Sequence, residues 1–402
     1  MASEHVAVIG AGLSGLALAL ALHKQSIPVT IYEARSASLD IGGAIMLSPN
    51  ALRVLDALGV YGISRKLGYE FTKLHFYTDK PLDSYEFGDA QKYGYDGLRI
   101  YRFELIETLL SAIRERGIPI VYQKKFIKIQ SETETNVTWE FEDGTTGTAS
   151  CLVGADGIHS RVRKYLYPDL EPRFTGGIGV TAAIPRSQLK QGSYELPLTL
   201  INPKYGAFVI APQLVDGSEL LIGRQKRATE LDRKGWDDLM NNKEWCIEFL
   251  REEAENYPEI VQSAVSNIPL NKINIWPFHM VPRLDTWASQ HSRVVILGDA
   301  AHAIPPTAGQ GINQAFEDIY TYSLILAKVK GPRLNDALKL WQRGRQERVD
   351  YVLELNKQID TRRLPNETGL IDDLKPFDLE WLYRPDFDAM VDGWLKNLSK
   401  LD

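Results

Sequence analysis

The feature that most restricts this chain lies near its start. Val6-Ala7-Val8-Ile9 runs straight into Gly10-Ala11-Gly12-Leu13-Ser14-Gly15. Such a continuous apolar run suits a strand buried on both faces. The Ala- and Leu-rich stretch from Leu13 to Lys24 suits a helix. After Pro28, the β-branched run Val29-Thr30-Ile31-Tyr32 suits a second strand, giving a βαβ opening of a parallel sheet. The three glycines then have separate duties. Gly10 permits the tight turn, Gly12 lets backbone approach a pyrophosphate, and Gly15 allows close helix–strand packing. The helix N-terminus offers free N–H groups and partial positive charge to phosphate. Glu33 ends the second strand, close to the ~20-residue offset at which a carboxylate takes a ribose diol. Ala34 and Arg35, directly after it, are counted with the same site. Together these residues indicate an adenine dinucleotide without saying which one.

The chain has 402 residues, more than one small core needs, and at about 150 residues per domain it predicts two or three domains. Hydrophobic residues make up 44% and charged residues 24%, which excludes disorder, collagen and coiled coil. Lys and Arg number 46 against 52 Asp and Glu, a net charge of −6. That leaves no electrostatic footprint for nucleic acid or an anionic membrane. Two cysteines, Cys151 and Cys246, make neither a disulfide framework nor a four-cysteine metal site, so no metal is expected. No signal peptide fits before Val6, and Lys24 and Gln25 break the longest apolar helical run, so no membrane span is expected. The expected location is the cytoplasm.

Along the chain, Asn50–Leu58 reads as a helix stopped by Gly59, and Phe103–Arg116 as another stopped by Gly117. Residues 119–149 carry short alternating runs and the hairpin signal Glu142-Asp143-Gly144-Thr145. Cys151-Leu152-Val153 returns to buried-strand character. From Phe174 to Trp276 the texture is sheet plus helix, with strand-like runs at Ala207–Ala211 and Glu219–Gly223 and a helical stretch at Trp245–Ala254. At Arg293–Leu297 the buried strand resumes, so the chain leaves the first domain and comes back. Leu334 to Arg363 is helical and highly charged.

Two further motifs sit at strand ends. Gly154-Ala155-Asp156-Gly157 opens the first, although Asp156-Gly157 equally suits a plain turn, and Asp or Ser a helix cap. The second is Gly298-Asp299-Ala300-Ala301-His302, then Pro305-Pro306, then Gly309-Gln310-Gly311-Ile312-Asn313. Its prolines stiffen the loop, and its glycines let backbone come close to a flat ligand. The helix N-terminus near Gly311 can face a negatively charged ring edge. Asp299 is placed to bond polyol hydroxyls. His302 is read as a bond to the loop backbone rather than as a catalytic group.

In this order and spacing the three motifs resemble the class A FAD-dependent monooxygenases, the para-hydroxybenzoate hydroxylase-like family. The resemblance covers roughly residues 5–345. It implies an α/β fold: a Rossmann-like FAD-binding domain of the GR2 type, an inserted sheet-plus-helix substrate domain and a C-terminal helical segment. The implied division gives the FAD-binding domain residues 1–72, 99–173 and 281–345. Residues 73–98 become substrate-domain strands, 174–280 the substrate domain and 346–402 a C-terminal helical region. The glycine fingerprint would hold the FAD pyrophosphate. Asp299 would contact the ribityl–pyrophosphate region, and Asp156 would support FAD and nicotinamide. The likeness extends to Gly42-Gly43-Ala44-Ile45, a loop lining the flavin in relatives, and to Arg102, which touches FAD there. Pro306, Gly309, Gly311, Ile312 and Asn313 complete the expected FAD set.

The implied reaction uses transient NADPH or NADH, FAD and oxygen to hydroxylate or epoxidise an electron-rich aromatic or natural-product substrate through a flavin C4a-hydroperoxide. The partner is a small molecule, and the chain is expected to be a monomer or homodimer. One departure concerns the substrate. Many relatives carry Trp-Arg-Gly where this chain has Val180-Thr181-Ala182, so an arginine that handles anionic substrates is missing. Arg224 is the candidate replacement, although a surface charge on an alternating strand reads equally well. Tyr205 and His279 are further candidates for polar contacts or proton transfer. Two alternatives remain, a flavin-dependent halogenase and a non-catalytic dinucleotide-fold binding module. The halogenase segment has only Ile275-Trp276-Pro277 as its counterpart.

Overall fold

The Val6–Ile9 strand lies in the middle of a five-stranded parallel sheet. The order across it is Val294–Ile296, Cys151–Gly154, Val6–Ile9, Val29–Tyr32 and Ile120–Val121. The three strands on the Val294 side are buried along their whole length, as strands covered on both faces must be. The computed structural model describes residues 5–37, 43–202, 204–363 and 378–398. The Leu13–Lys24 helix is buried nearly all round because the Arg102–Glu115 and Gly311–Lys328 helices cover what the sheet does not. Strands Phe126–Glu132, Val137–Phe141 and Thr146–Ala149 form the antiparallel meander that the hairpin signal predicts.

A second, seven-stranded sheet is ordered Ile273–Met280, Arg173–Pro185, Glu219–Arg227, Gly206–Pro212, Leu198–Asn202, Lys73–Tyr77 and Pro81–Glu86. One face is covered by the helices Arg233–Asn241, Lys243–Arg251 and Glu259–Ala264, and holds Ile178, Val180, Ile222, Leu250 and Val261. The other face turns to the first domain. There Leu74, Phe76 and Ile201 cluster with Phe87, Ala308, Val352 and Tyr383. A small sheet of Ala44–Leu47, Gly97–Tyr101 and Tyr69–Phe71 sits at this junction. Leu98, grouped from sequence with the substrate-domain strands, pairs here with Leu47 of the strand that follows Gly43, and Gly97 pairs with Phe71 on the other side.

The Leu334–Arg363 helix brings two arginines inward to two acids of the Gly311–Lys328 helix. Arg345 bonds Asp318 at 2.8 Å and also pairs with Glu317; Arg348 bonds Glu317 at 2.5 Å. Arg348 also donates to the carbonyls of Trp381 and Leu382, which ties down the Leu379–Tyr383 helix. Of the C-terminal region expected from residue 346 onward, 364–377 and 399–402 lie outside the described residues. Burial alone would raise the Glu317 and Asp318 carboxyls. For Glu317 the two arginines outweigh it; for Asp318, His302 and Arg345 do, so both sit below their ordinary values.

Breaking such a buried pair leaves an uncompensated charge, at a cost of about 3–5 kcal/mol. Arg345→Met should therefore lower unfolding stability by about that amount in urea titrations. The acids' lowered folded-state pKa values add a pH signature. Their stabilisation is complete above ~4.5, the unfolded carboxylate range, and is lost as pH falls through the lowered folded values. Glu317→Gln should flatten that acid limb of the stability curve, and an unchanged limb would remove Glu317 from the network.

Candidate functional site

The glycine turn is built as its three positions require. Gly10 has φ +105°, and a Cβ there would stand 2.7 Å from the Ala155 carbonyl oxygen. A Cβ on Gly15 would stand 1.9 Å from the Gly10 carbonyl oxygen. Both are glycine because backbone crosses backbone. A Cβ on Gly12 would meet nothing within 4 Å, so that backbone borders an open groove. Leu13 points into the core, so only its backbone serves the turn, and Ser14 lies beside Gly298. Glu33 is buried and braces the turn: it accepts from Ala11 N at 2.8 Å and from Arg35 N at 2.9 Å. Ala34 and Arg35 are exposed beside it.

Two more segments reach the groove. Asp299 starts a short helix after Gly298, whose φ is +57°. Its carboxylate is exposed into the groove, yet surrounding protein desolvates it and raises its pKa against the pull of His302 and Arg102. Arg102 heads the Arg102–Glu115 helix; desolvation and Arg35 lower its pKa while Asp299 opposes them. Arg35, Arg102 and Asp299 thus converge from three segments. Asp156 Oδ2 accepts from Arg161 N at 2.8 Å and Val162 N at 3.2 Å, the helix-cap reading, while Oδ1 is buried with no partner. His302 bonds Asp318, not the loop backbone; it is buried against Trp287.

The Pro306 loop closes the far end. Gly309 has φ +64°, and a Cβ there would stand 2.6 Å from Met46 Cε. Gly311 opens the long helix with nothing within 4 Å of a Cβ. Gly43 and Ala44 lie against Gln213, whose Oε1 accepts from Ala44 N at 3.1 Å; Gly42 lies outside the described residues. Ile312 packs on the first domain's core. The Asn313 side chain, at the start of the same helix, ties loops together. It donates to Met46 O at 3.1 Å and Gly309 O at 2.6 Å, and accepts from Ser48 N at 2.8 Å. Open backbone at Gly12 and Gly311, two long-helix N-termini and two arginines form a donor set that fits a flavin dinucleotide. A concavity of about 580 Å³ between Arg53, Tyr93, Arg384 and Phe387 shares no residue with this groove.

The three substrate-side candidates are not brought to the groove. In the Glu219–Arg227 strand, Leu221 lies 3.5 Å from a Cβ on Gly43, so odd-numbered residues face the groove. Arg224 faces the other way, with Ile222 and the covering helices. It is buried rather than a surface charge, and its guanidinium donates to the carbonyls of Phe249, Glu252 and Tyr205. Tyr205 packs against the same helix-side cluster. His279 shares the side of Ile273 and Ile275, with its ring 5.5 Å from Phe174. All three therefore stand on the wrong face for substrate. Alternation tells that two faces exist, not which one meets the ligand.

Sequence reasoning missed Gln213 and Arg99. Gln213 Nε2 donates to the Tyr101 hydroxyl at 2.9 Å, which in turn donates to Glu219. Arg99 is 5% exposed, and burial pulls its guanidinium down to about 10, still charged at neutral pH, with Tyr101 acting the opposite way. The available signal was a lone charge between Leu98 and Ile100 on a short strand. Thr181, at the position of the missing arginine, lies on the groove side against Gly223.

Gly12→Ala should unfold like wild type and lose at least about tenfold in dinucleotide affinity, roughly 1.4 kcal/mol. Gly15→Ala should lose stability outright. Equal melting of the two variants would contradict the split. Arg224→Ala should cost about 1.5–3 kcal/mol of stability, for lost charged hydrogen bonds, and leave the groove's ligand affinity unchanged.

The model of the family described as FAD binding domain matches residues 3–355. Hispidin-3-hydroxylase of Neonothopanus nambi is 26% identical over 401 residues, covering 92% of this chain and 90% of that protein. Salicylate hydroxylase of Pseudomonas putida is 26% identical over 431 residues, covering 96% and 93%. The crystal structure of CtdE in complex with FAD and substrate superposes with a TM-score of 0.81 at 19% identity, covering 99% of each chain.

Proposed function

The chain belongs to the FAD binding domain family as a class A FAD-dependent monooxygenase, and we propose that it hydroxylates a flat, electron-rich aromatic ring. The ring would lie between the Gly309 loop and the groove face of the seven-stranded sheet. The enzyme is a flavoprotein that draws on NAD(P)H and oxygen. The observation that carries the ring substrate is the apolar wall at Gly309, where Met46 and Phe87 approach the loop backbone and Ala308 joins the Ile201 cluster. Such a wall suits a planar apolar body with few polar contacts. Relatives named for the hydroxylation of hispidin and salicylate support this reading. Trp276, nearest to the halogenase alternative, is 37% exposed on an edge strand and adds nothing to it. The use of NAD(P)H supports a cytoplasmic location, and among the described residues no helix is long and apolar enough to cross a membrane.

FAD, when bound, supplies hydride acceptance from nicotinamide and oxygen activation. The chain's own residues hold, orient and shield. The Gly12–Leu13 backbone and Arg102 would take the pyrophosphate, and Glu33 the ribose through the lone pairs its backbone bonds leave. Asp299 would accept from ribityl hydroxyls. The open N-terminus at Gly311 would face negative charge at the flavin's pyrimidine edge. The apolar wall would exclude water, which strengthens each of these polar contacts and protects the oxygen-transfer step.

The purified protein should be yellow and release FAD, rather than FMN, on denaturation. Asp299→Ala and Arg102→Ala should each weaken FAD binding by about 10- to 100-fold, for a lost charged contact of about 1.5–3 kcal/mol. Affinities equal to wild type would misplace the flavin. A panel of phenols and fused aromatics, scored by mass for addition of one oxygen atom from O2, tests the reaction.

A further inference from the structure

Arg99 stands opposite Met46 on one neighbouring strand and Tyr69 on the other. Residues directly opposite one another in a sheet share a face. Leu98 and Ile100, on either side of Arg99, are buried in the first domain's core. The guanidinium therefore leaves from the opposite face, the one that carries Met46 and Tyr101. Both of those residues reach the groove: Met46 Cε abuts Gly309, and the Tyr101 hydroxyl bonds Gln213 and Glu219 of the facing sheet. Arg99 lies between them, in the seam that joins the flavin loop to the substrate-domain sheet.

In that seam Arg99 is buried and, among the described residues, meets no carboxylate. Arg99 is 5% exposed, and its Nε and Nη2 have no hydrogen-bond partner. Among the described residues it forms no ion pair. Glu219, the acid that Tyr101 bonds, is also engaged by Lys272. Other buried arginines behave differently: Arg345 and Arg348 each meet carboxylates, and Arg224 meets three carbonyls. A buried unpaired cation is unfavourable, so a chain that keeps one beside a ligand groove has a counter-charge arriving from outside. The planar, fork-like donor set matches a carboxylate or an acidic enolate better than a neutral carbonyl.

The geometry points to Arg99 as the substrate-binding residue that pairs with an anionic oxygen on the ring to be hydroxylated. This rests on the monooxygenase reading above, and it narrows the substrate to a ring acid. Bound there, the anion is held on the Met46 side of the groove, and the remaining ring extends along the apolar wall toward Gly309. Neutralisation of Arg99 also removes the penalty the free enzyme carries, so binding of the right substrate tightens the seam.

The test uses holoenzyme and ligand-induced changes in the flavin absorption spectrum, which need no turnover. Four probes make two arms: salicylate against salicylamide, and 4-hydroxy-6-methyl-2-pyrone against its 4-methoxy ether. Wild type should bind the anion of at least one arm at least tenfold more tightly than its neutral partner. Arg99→Met should abolish that preference and leave the neutral partner within about twofold of wild type; Arg99→Lys should restore part of it. The arm that responds distinguishes carboxylate from enolate. Arg99→Met should also melt no lower than wild type, because it removes an unpaired charge. Neutral probes bound as tightly as anions, an unchanged preference in Arg99→Met, or no anion binding in either arm would each overturn the assignment. FAD content and NAD(P)H-driven peroxide formation, measured on the same preparations, report separately on the monooxygenase reading.

Discussion

The flavin groove depends on charges that never touch it. Asp318 accepts from Gly298 N at 2.9 Å and from His302, which fixes the turn that presents Asp299. Its other oxygen is held by Arg345. Glu317, one residue earlier, accepts from Asn50 Nδ2 at 2.7 Å; Asn50 in turn accepts from the Ser48 hydroxyl, and Gln310 donates to that hydroxyl. One pair of adjacent acids therefore fixes the Asp299 turn, the Gln310 loop and the strand end after Met46. Two arginines from the Leu334–Arg363 helix neutralise the pair. Without them, burial would push the Glu317 carboxyl up, and only His302 would still hold Asp318 down. The C-terminal helix is thus part of the cofactor site's foundation, although it lies in sequence beyond every cofactor motif.

The division between legible and illegible residues follows the range of the physics. The glycine turn is legible because Gly10 and Gly15 answer to local backbone crossings, and strand, turn and helix are contiguous. The Leu13–Lys24 and Leu334–Arg363 helices are legible for the same reason. Arg224 was misjudged because which sheet face meets the flavin depends on Gly43 and Leu221, nearly two hundred positions apart. The loop-tying bonds of Asn313 were not legible because a polar side chain at a helix start can serve ligand or loop, and the bonds depend on the positions of Met46 and Ser48. Arg99 left only a weak sign, one charge among aliphatic residues, since the sheet opposite supplies the meaning.

The two domains also divide their labour by polarity. On the dinucleotide side, charges and helix ends line an open groove, where phosphate and ribose groups exchange water for fixed donors. On the sheet side, Met46 and Phe87 pack against Gly309, with Ile201 buried in the same apolar cluster as Phe87, and Gln213 bonds the Tyr101 hydroxyl. An oxygen-transfer reaction needs this gradient, because the cofactor must be anchored by polar contacts while the reacting carbon is kept dry.

Within that gradient a lone guanidinium looks out of place, and the placement explains itself through the substrate. An aromatic ring in an apolar slot can slide and flip, since dispersion contacts scarcely distinguish one orientation from another. A single buried cation at one end of the slot removes that freedom. It costs the free enzyme stability. In return it fixes which carbon of the ring faces Gly309. Position on the ring, rather than affinity alone, is what a hydroxylase must control, and one charge in an otherwise apolar wall is the smallest device that controls it.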